Sequence, residues 1–290
     1  MNQPQFRPPA EAASVILQID EGCPHNACTF CGMYKGMRYR QRSWDEIERI
    51  VCDEAAQAPD ADRIFLADGD VMARSFDDLE RLLDRIAQAF PRLARVSLYA
   101  NGSSIAAKSD AELRTLRAKR LHTLYLGLES GDNEVLARCH KGETAEIMAE
   151  SGQRAQAAGL RISVMVLLGL AGRNGSRNHA LHTAEVLNHM QPRLLSTLRV
   201  IPVPGTELAR QAQAGSFEML TEAEVVEELH TLLGALELRG TVFRSDHTSN
   251  VLSLQGRLPA HRDALLAQLD ALLRSGRLDH RSPGRLPLWL

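Results

Sequence analysis

The sequence predicts an α/β fold, an incomplete (β/α)6 barrel of the TIM-like kind followed by an α-rich C-terminal extension. Three observations carry this expectation. Short runs rich in β-branched residues alternate with longer amphipathic runs over most of the chain. Polar or glycine residues follow nearly every short run. The 290 residues, 44% apolar and 24% charged, can bury a large core within one main domain. The alternation alone fits a doubly wound open sheet as well. The run ends favour the barrel, because a barrel brings all its strand C-termini to one mouth, whereas an open sheet gathers them only near its switch point.

The first strand is expected at Ser14 to Ile19, ending on Asp20. A helical stretch, Trp44 to Gln57, leads to a second strand, Arg63 to Ala67, closed by Asp68-Gly69-Asp70. Phe76 to Phe90 then precedes Arg95 to Ala100 with Asn101-Gly102 behind it, and Asp110 to Ala118 precedes Thr123 to Leu128 with Glu129-Ser130-Gly131. Glu146 to Ala158 leads to Arg161 to Leu168 and Gly169; His179 to Met190 leads to Leu194 to Ile201, followed by Pro202 and Pro204. Each helical stretch is long enough for a right-handed crossover between parallel strands. Past Gly205 come helical runs at Thr206 to Ala214 and Glu222 to Leu238, a strand at Thr241 to Ser245, a helix at Pro259 to Arg274 and a loose tail, DHRSPGRLPLWL. The expected division is an N-terminal extension (1–13), a core barrel (14–205) and a C-terminal helical extension with its tail (206–290).

A net charge of -2 without a long run of one sign argues against nucleic acid as a partner, since that affinity rests on clustered Lys and Arg. No apolar run reaches the roughly 20 residues of a membrane helix, and the start MNQPQFRPPAEAAS lacks the features of a secretory signal. A cytoplasmic protein without membrane attachment is expected. Of five cysteines, three lie within nine residues while Cys52 and Cys139 stand alone, which does not suit a disulfide scaffold. Clustered cysteines in a reducing compartment point to metal.

Cys23, Cys28 and Cys31 form C-x4-C-x2-C directly after the first strand, flanked by Gly22 and Gly32, which let backbone approach closely. Three thiolates on a four-iron cluster leave one iron open to substrate or cofactor. A zinc site of these cysteines with His25 is the alternative, although zinc ligands usually come as two separated pairs and no second pair follows.

The segment EGCPHNACTFCGMY resembles the signature of the radical S-adenosylmethionine (SAM) superfamily, particularly the branch with the coproporphyrinogen oxidase-like, biotin synthase-like and Elongator-like enzymes. Phe30 stands where that pattern has an aromatic residue before the third cysteine; four residues lie between the first two cysteines where three is commonest. Further similarity falls at the strand ends. RIFLADGD resembles the motif that meets the SAM amino group, here Asp68, Gly69 and Asp70, and LYLGLESGDNEVLARCHKG resembles the segment whose Glu129 would approach the ribose or methionyl end. SVMVLLGLAG resembles the adenine-flanking motif, here Val166, Leu168 and Gly169, and RVIPVPGTEL resembles the end of the sixth strand. Asn101 joins the expected SAM contacts; Arg199 would either face the SAM carboxylate or point outward to a helix acid.

The resemblance implies a barrel of the radical SAM type, a [4Fe-4S] cluster on the three cysteines and SAM on the open iron. It implies an enzyme that takes an electron from an external donor such as flavodoxin or ferredoxin and cleaves SAM to a 5′-deoxyadenosyl radical. That radical would abstract hydrogen from an unidentified substrate, expected to be a small molecule. A non-catalytic iron-sulfur or haem carrier is a further alternative, because relatives of this branch include a haem chaperone.

Other features keep plain readings beside these. Taken singly, aspartates after strands cap helices or close turns. His179, His182 and His189 share a helical face, which suits solvent or acidic neighbours better than metal. Cys52 is expected as a small core residue, and Cys139 as a loop thiol with a basic setting. Gly169, Gly172 and Gly175 read as part of the barrel rim. His247, Ser249 and Asn250 could close the barrel mouth or satisfy backbone in a long turn.

Overall fold

A computed structural model describes residues 6–286; the outer ends of the expected N-terminal extension and C-terminal tail lie outside the described residues. The strands are β1 (Val15–Gln18), β2 (Asp20–Glu21), β3 (Arg40–Gln41), β4 (Arg63–Ala67), β5 (Arg95–Ala100), β6 (Leu121–Glu129), β7 (Arg161–Leu168), β8 (Leu194–Arg199), β9 (Thr241–Ser245) and β10 (Leu254–Leu258). The helices are α1 (Trp44–Gln57), α2 (Phe76–Ala89), α3 (Gly102–Ala106), α4 (Asp110–Ala118), α5 (Asn133–Arg138), α6 (Ala145–Ala157), α7 (Ser176–Met190), α8 (Glu207–Gln213), α9 (Glu222–Ala235) and α10 (Arg262–Arg274). Side-chain caps define the starts of many of these helices. Ser43 with Glu46, Ser109 with Glu112, and Thr221 with Glu224 form reciprocal capping boxes on α1, α4 and α9.

The main strands follow the order β1-β4-β5-β6-β7-β8-β9-β10, and β1–β4, β4–β5, β5–β6, β7–β8 and β8–β9 pair in parallel. This is the mixed α/β fold with a parallel sheet that the βα rhythm predicts. The C-terminal extension is less purely helical than expected, because β9 prolongs the parallel sheet and β10 returns antiparallel to it. Gln255, Gly256 and Arg257 break the apolar pattern of β10, which conceals it in the sequence; as the last strand in the order it can leave its polar side chains exposed.

The chain forms two compact units. The first comprises the chain up to Asn26, Met33–Leu126 and Ser151–Ile162. Its β4, β5 and β6 bury Ile64, Leu66, Val96, Leu98, Leu124 and Leu126 on one face, and α2 contributes Leu79, Leu82, Leu83 and Ile86 to the buried set. The other face carries Phe65, Tyr99 and Tyr125, whose rings meet edge to face at 5.1–6.3 Å between centroids. Tyr125 donates a 2.7 Å hydrogen bond to the buried Glu11, which ties down the segment before β1. The β2–β3 ribbon closes the base of the loop that holds the cysteines. Asp20 of this ribbon accepts from Arg74 Nε at 3.0 Å and from its terminal nitrogen at 2.6 Å, both side chains being buried. Cys52 is a correction: it is exposed, bonded to Glu48 and Arg85, because the buried stripe of α1 runs through Ile47 and Val51 instead.

The second unit comprises Ala27–Gly32, Gly127–Glu150 and the chain from Ser163 onward. Its sheet buries Val164, Val166, Leu168, Leu195 and Phe243, and α9 buries Val225, Val226, Leu229, Leu232 and Leu233. The segment expected as a loose tail is held in its described part. Glu222 N and Ala223 N, at the start of α9, donate to Ser282 O and Asp279 O at 3.2 Å each, so residues 279–282 cap that helix. Gly131 lies against α7: its N–H donates to Thr183 Oγ1 at 2.9 Å, and a Cβ there would sit 2.5 Å from Thr183 Cα. Gly131→Ala is therefore expected to destabilise the protein by about 1–3 kcal/mol, the usual effect of forcing a methyl group into packed backbone. Urea denaturation checks this through a lowered midpoint at unchanged slope.

Candidate active site

In the first unit, the end of β4 closes on Cys23. Gly69 N donates to Gly22 O at 3.0 Å, and a Cβ on Gly69 would lie 2.7 Å from both Cα and Sγ of Cys23. Only glycine permits that approach. The preceding Asp68 has a φ of 89°, a left-handed backbone that side chains other than Asn and Asp rarely adopt. It is 4% exposed, and one carboxylate oxygen accepts from Gln18 Nε2 at 3.4 Å. The other oxygen is buried without a hydrogen-bond partner, and burial pushes the carboxyl up to about 6. A strained residue holding an orphaned buried oxygen is costly unless something donates to it.

Asp70 is differently placed. Its oxygens accept from Ser104 Oγ at 3.0 Å and from Asn101 Nδ2 at 3.2 Å, and Ser104 Oγ in turn accepts from Asn101 N at 3.0 Å. Asp70 and Asn101 thus join the ends of β4 and β5. Lys108, also buried, donates to Met72 O at 3.1 Å; burial pulls its pKa below the ordinary value although Asp70 opposes this.

In the second unit, the stretch between Cys28 and Cys31 is pinned by main chain. Thr29 N donates to Cys139 O and Leu208 N to Thr29 O, both at 2.9 Å, while Phe30 packs against a buried cluster of Val135, Cys139, Leu170 and Leu208. Gly32 permits close packing on Val203, 2.8 Å from where a Cβ would stand. Burial pushes the Cys139 thiol up to about 12, the reverse of an activated thiol. Glu129 has a φ of 61° and pairs with the buried Lys141 at 3.3 Å; a side chain on Gly127 would run into its Oε1. Burial alone would lower the Lys141 pKa, but the charges of Glu129 and Cys28 outweigh it and hold the ammonium above its ordinary value.

Gly169, with a φ of 82°, donates its N–H to Glu228 Oε1 at 2.7 Å. The same buried carboxylate accepts from Ser176 Oγ and lies 3.1 Å from His179 Nδ1, whose Nε2 is 3.4 Å from Glu129 O. One acid on α9 therefore braces the ends of β6 and β7. This network was not apparent from sequence, although Glu228 interrupts the apolar stripe of Val225, Leu229 and Leu232, a usable signal. His182 has an acidic neighbour as expected, Asp132, at 3.1 Å.

Val166 and Leu168 point into the buried face of β7, whereas the intervening Met165 and Leu167 are half-buried on the opposite face. Arg199 is buried and donates to Leu220 O at 3.2 Å and Pro283 O at 2.7 Å; burial lowers its pKa, with Glu222 opposing. Ser249 accepts from Arg199 N at 3.2 Å and Asn250 donates to Thr197 O at 2.8 Å, so that polar loop satisfies the backbone of β8. Among the described residues no three His, Cys, Asp or Glu side chains converge as ligands of one metal ion would. A four-iron cluster asks for a different arrangement, since each thiolate binds its own iron.

Residues 17–184 match the model of the radical SAM superfamily. The chain belongs to the radical SAM superfamily. It is thereby an enzyme of that superfamily, and the matched span takes in the cysteine loop and the ends of β4 to β7. Solved structures share its fold across several branches. Methylornithine synthase (PylB) is 13% identical with a TM-score of 0.56, the match covering 92% of this chain and 73% of that one. Elp3 of Methanocaldococcus infernus, with an N-terminal deletion, is 17% identical with a TM-score of 0.53, covering 81% and 60%. The radical SAM methyltransferase TsrM of Kitasatospora setae, solved with cobalamin and a [4Fe-4S] cluster, is 19% identical with a TM-score of 0.54, covering 67% and 38%. The chain thus spans less than two thirds of the last two proteins. No curated protein matches it.

The raised carboxyl of Asp68 has a thermodynamic consequence. Between the ordinary value of 3.8 and about 6, the folded protein holds a proton that the unfolded chain has lost, so stability falls as pH rises through that window. In the metal-free protein, Asp68→Asn is expected to be the more stable form above about pH 6.5, by on the order of 2 kcal/mol. Its stability should also vary less between pH 4 and 6, as denaturant titrations at several pH values will read; equal pH dependence in the two proteins would contradict the assignment.

Proposed function

We propose that this enzyme carries a [4Fe-4S] cluster on Cys23, Cys28 and Cys31 and binds SAM beside it, acting on a small-molecule substrate. The observation that carries this reading is Asp68: a strained, buried carboxylate with one unpartnered oxygen, on the residue before the glycine that touches Cys23. An ammonium is the group that completes such an oxygen, and the SAM amino group supplies one. Held by Cys23, Cys28 and Cys31, the cluster would supply the electron for reductive cleavage of SAM, the source of the 5′-deoxyadenosyl radical that would take hydrogen from the substrate.

The protein's own residues bind and orient. Gly69 lets the strand end reach the cysteine loop, while Asp70 and Asn101 hold that end through the bonds described above. Phe30 fixes the stretch between the second and third thiolates by packing. Glu129, steadied by Lys141, would take the ribose hydroxyls or methionyl end, and the left-handed turn at Gly169 would flank adenine, with Val166 and Leu168 supporting it from the buried face. Arg199 serves by bracing the end of β8 rather than by reaching SAM, since its guanidinium is already engaged by two carbonyls. The electron comes from an external donor such as flavodoxin or ferredoxin. The described residues include no helix long and apolar enough to cross a membrane, and a cytoplasmic setting suits the exposed cysteine Cys52. The [4Fe-4S] cluster held by the structurally similar TsrM supports the cluster assignment.

Anaerobic reconstitution with iron and sulfide, then reduction with dithionite in the presence of SAM, is expected to yield 5′-deoxyadenosine. Cys23→Ala, Cys28→Ala and Cys31→Ala should each lose the cluster and at least 100-fold of the product, whereas Cys52→Ala retains both. Zinc bound without sulfide, or haem bound without SAM cleavage, would replace this assignment with a zinc-stabilised or carrier protein.

A further inference from the structure

In the second unit, the sheet has a covered face and an open one. Val166, Thr197, Arg199 and Phe243 are buried on the covered face, while Met165, Leu167, Ser196, Leu198, Val242 and Arg244 are half-buried on the other. Strand register sets Met165 opposite Ser196 and Ser196 opposite Arg244, so these three form one row across β7, β8 and β9. Leu167 and Leu198 form the next row toward the strand ends, and Leu194 and Val242 pair on the row below. On β10 the row continues to the exposed Gln255, so Arg244 stands between a hydroxyl and an amide, with apolar side chains on the rows above and below.

Its guanidinium makes no hydrogen bond or ion pair among the described residues. The other arginines of this unit that are not exposed are all engaged: Arg173 with Glu218 and Glu224, Arg199 with two carbonyls, and Arg262 with the carbonyls of Leu236 and Gly234. The open face of β7 to β10 carries no acid, and the nearest acid in sequence, Asp246, is exposed and forms no ion pair with Arg244. A half-buried guanidinium with no acid on its own face of the sheet is open to an anionic partner.

We infer that Arg244 binds the carboxylate of the substrate, a carboxylic acid with an otherwise apolar body. This deepens the function proposed above and rests on it for the word substrate; the anion site itself stands on the geometry of the open face. The planar fork of Arg matches a carboxylate through two parallel hydrogen bonds, and Ser196 Oγ offers a third donor. A phosphate would call for further cations or backbone N–H groups, which this row lacks. Ser196 lies three residues before Arg199, the last residue of β8, so the anion would be held about 10 Å below the strand ends at 3.3 Å per residue. The body of the substrate then extends past Leu198 and Leu167 toward the end where Gly169 turns the chain.

Binding of four probes to the reconstituted, unreduced protein tests this by saturation-transfer NMR and calorimetry: hexanoate, 4-phenylbutanoate and the two corresponding primary amides. At least one carboxylate is expected to bind ten times more tightly than its amide. Arg244→Gln should abolish that preference and Arg244→Lys retain part of it, while Arg257→Gln, the same charge change at an exposed site, retains it whole. Equal binding of acid and amide, no binding of any probe to the wild-type protein, or an undiminished preference in a folded Arg244→Gln protein would overturn the assignment. The acid-amide comparison in the wild-type protein decides even if the variant fails to fold. Because no reductant is present, the outcome is separate from SAM cleavage: formation of 5′-deoxyadenosine without acid preference sinks only the Arg244 site, and acid preference without cleavage sinks only the radical reaction.

Discussion

The contact between Gly69 and Cys23 is the constraint on which the first half of the site depends. Backbone from the end of β4 reaches the first cysteine at a distance that leaves no room for a β-carbon. That approach fixes where Asp68 must sit, and Asp68 accepts a left-handed backbone and a buried, half-satisfied carboxylate as a result. Neither feature helps the empty fold. In the proposed function a cationic donor satisfies the open oxygen and so offsets the cost of the strained backbone beside it. The Asp20–Arg74 pair under the same loop is saturated by comparison, with the guanidinium also donating to Ile19 O at 3.2 Å and Arg42 O at 3.3 Å. One buried carboxylate closes the base of the loop and the other is left with an oxygen to offer.

The second unit solves a related problem by different means. A parallel strand that ends in a left-handed turn leaves an N–H without a ladder partner, and at Gly169 that partner is a carboxylate from α9, more than fifty residues further along the chain. Glu228 also engages Ser176 and His179, and His179 reaches the carbonyl of Glu129. The C-terminal helices are therefore part of the support of the strand ends. Residues 279–282, through their bonds to the start of α9, extend that support nearly to the end of the described chain.

Much of this was legible in the sequence because it depends on local pattern. Helical periodicity located α1, α4 and α9 to within a few residues, and the polar residues closing each apolar run marked the strand ends. The spacing of Cys23, Cys28 and Cys31 suggested the cluster that is proposed for them. What escaped depends on which face a side chain takes or on a partner far away. Cys52 looked like core because the helix is amphipathic, yet it falls off the Ile47–Val51 stripe. Tertiary pairing makes β10 a strand against its own composition. Alternation along β7 puts Met165 and Leu167, not Val166 and Leu168, on the open face, a choice that only the covering helices settle. Glu228 and Arg244 carry no motif; one is recognised by the three groups it satisfies, the other by having none.

Three thiolates on a four-iron cluster would leave one iron for SAM to occupy. Mössbauer spectroscopy of the protein reconstituted with 57Fe, recorded with and without SAM, tests this most directly. One of four iron subsites should change its isomer shift and quadrupole splitting when SAM is added while the other three stay as they were. Four subsites indifferent to SAM would contradict the account.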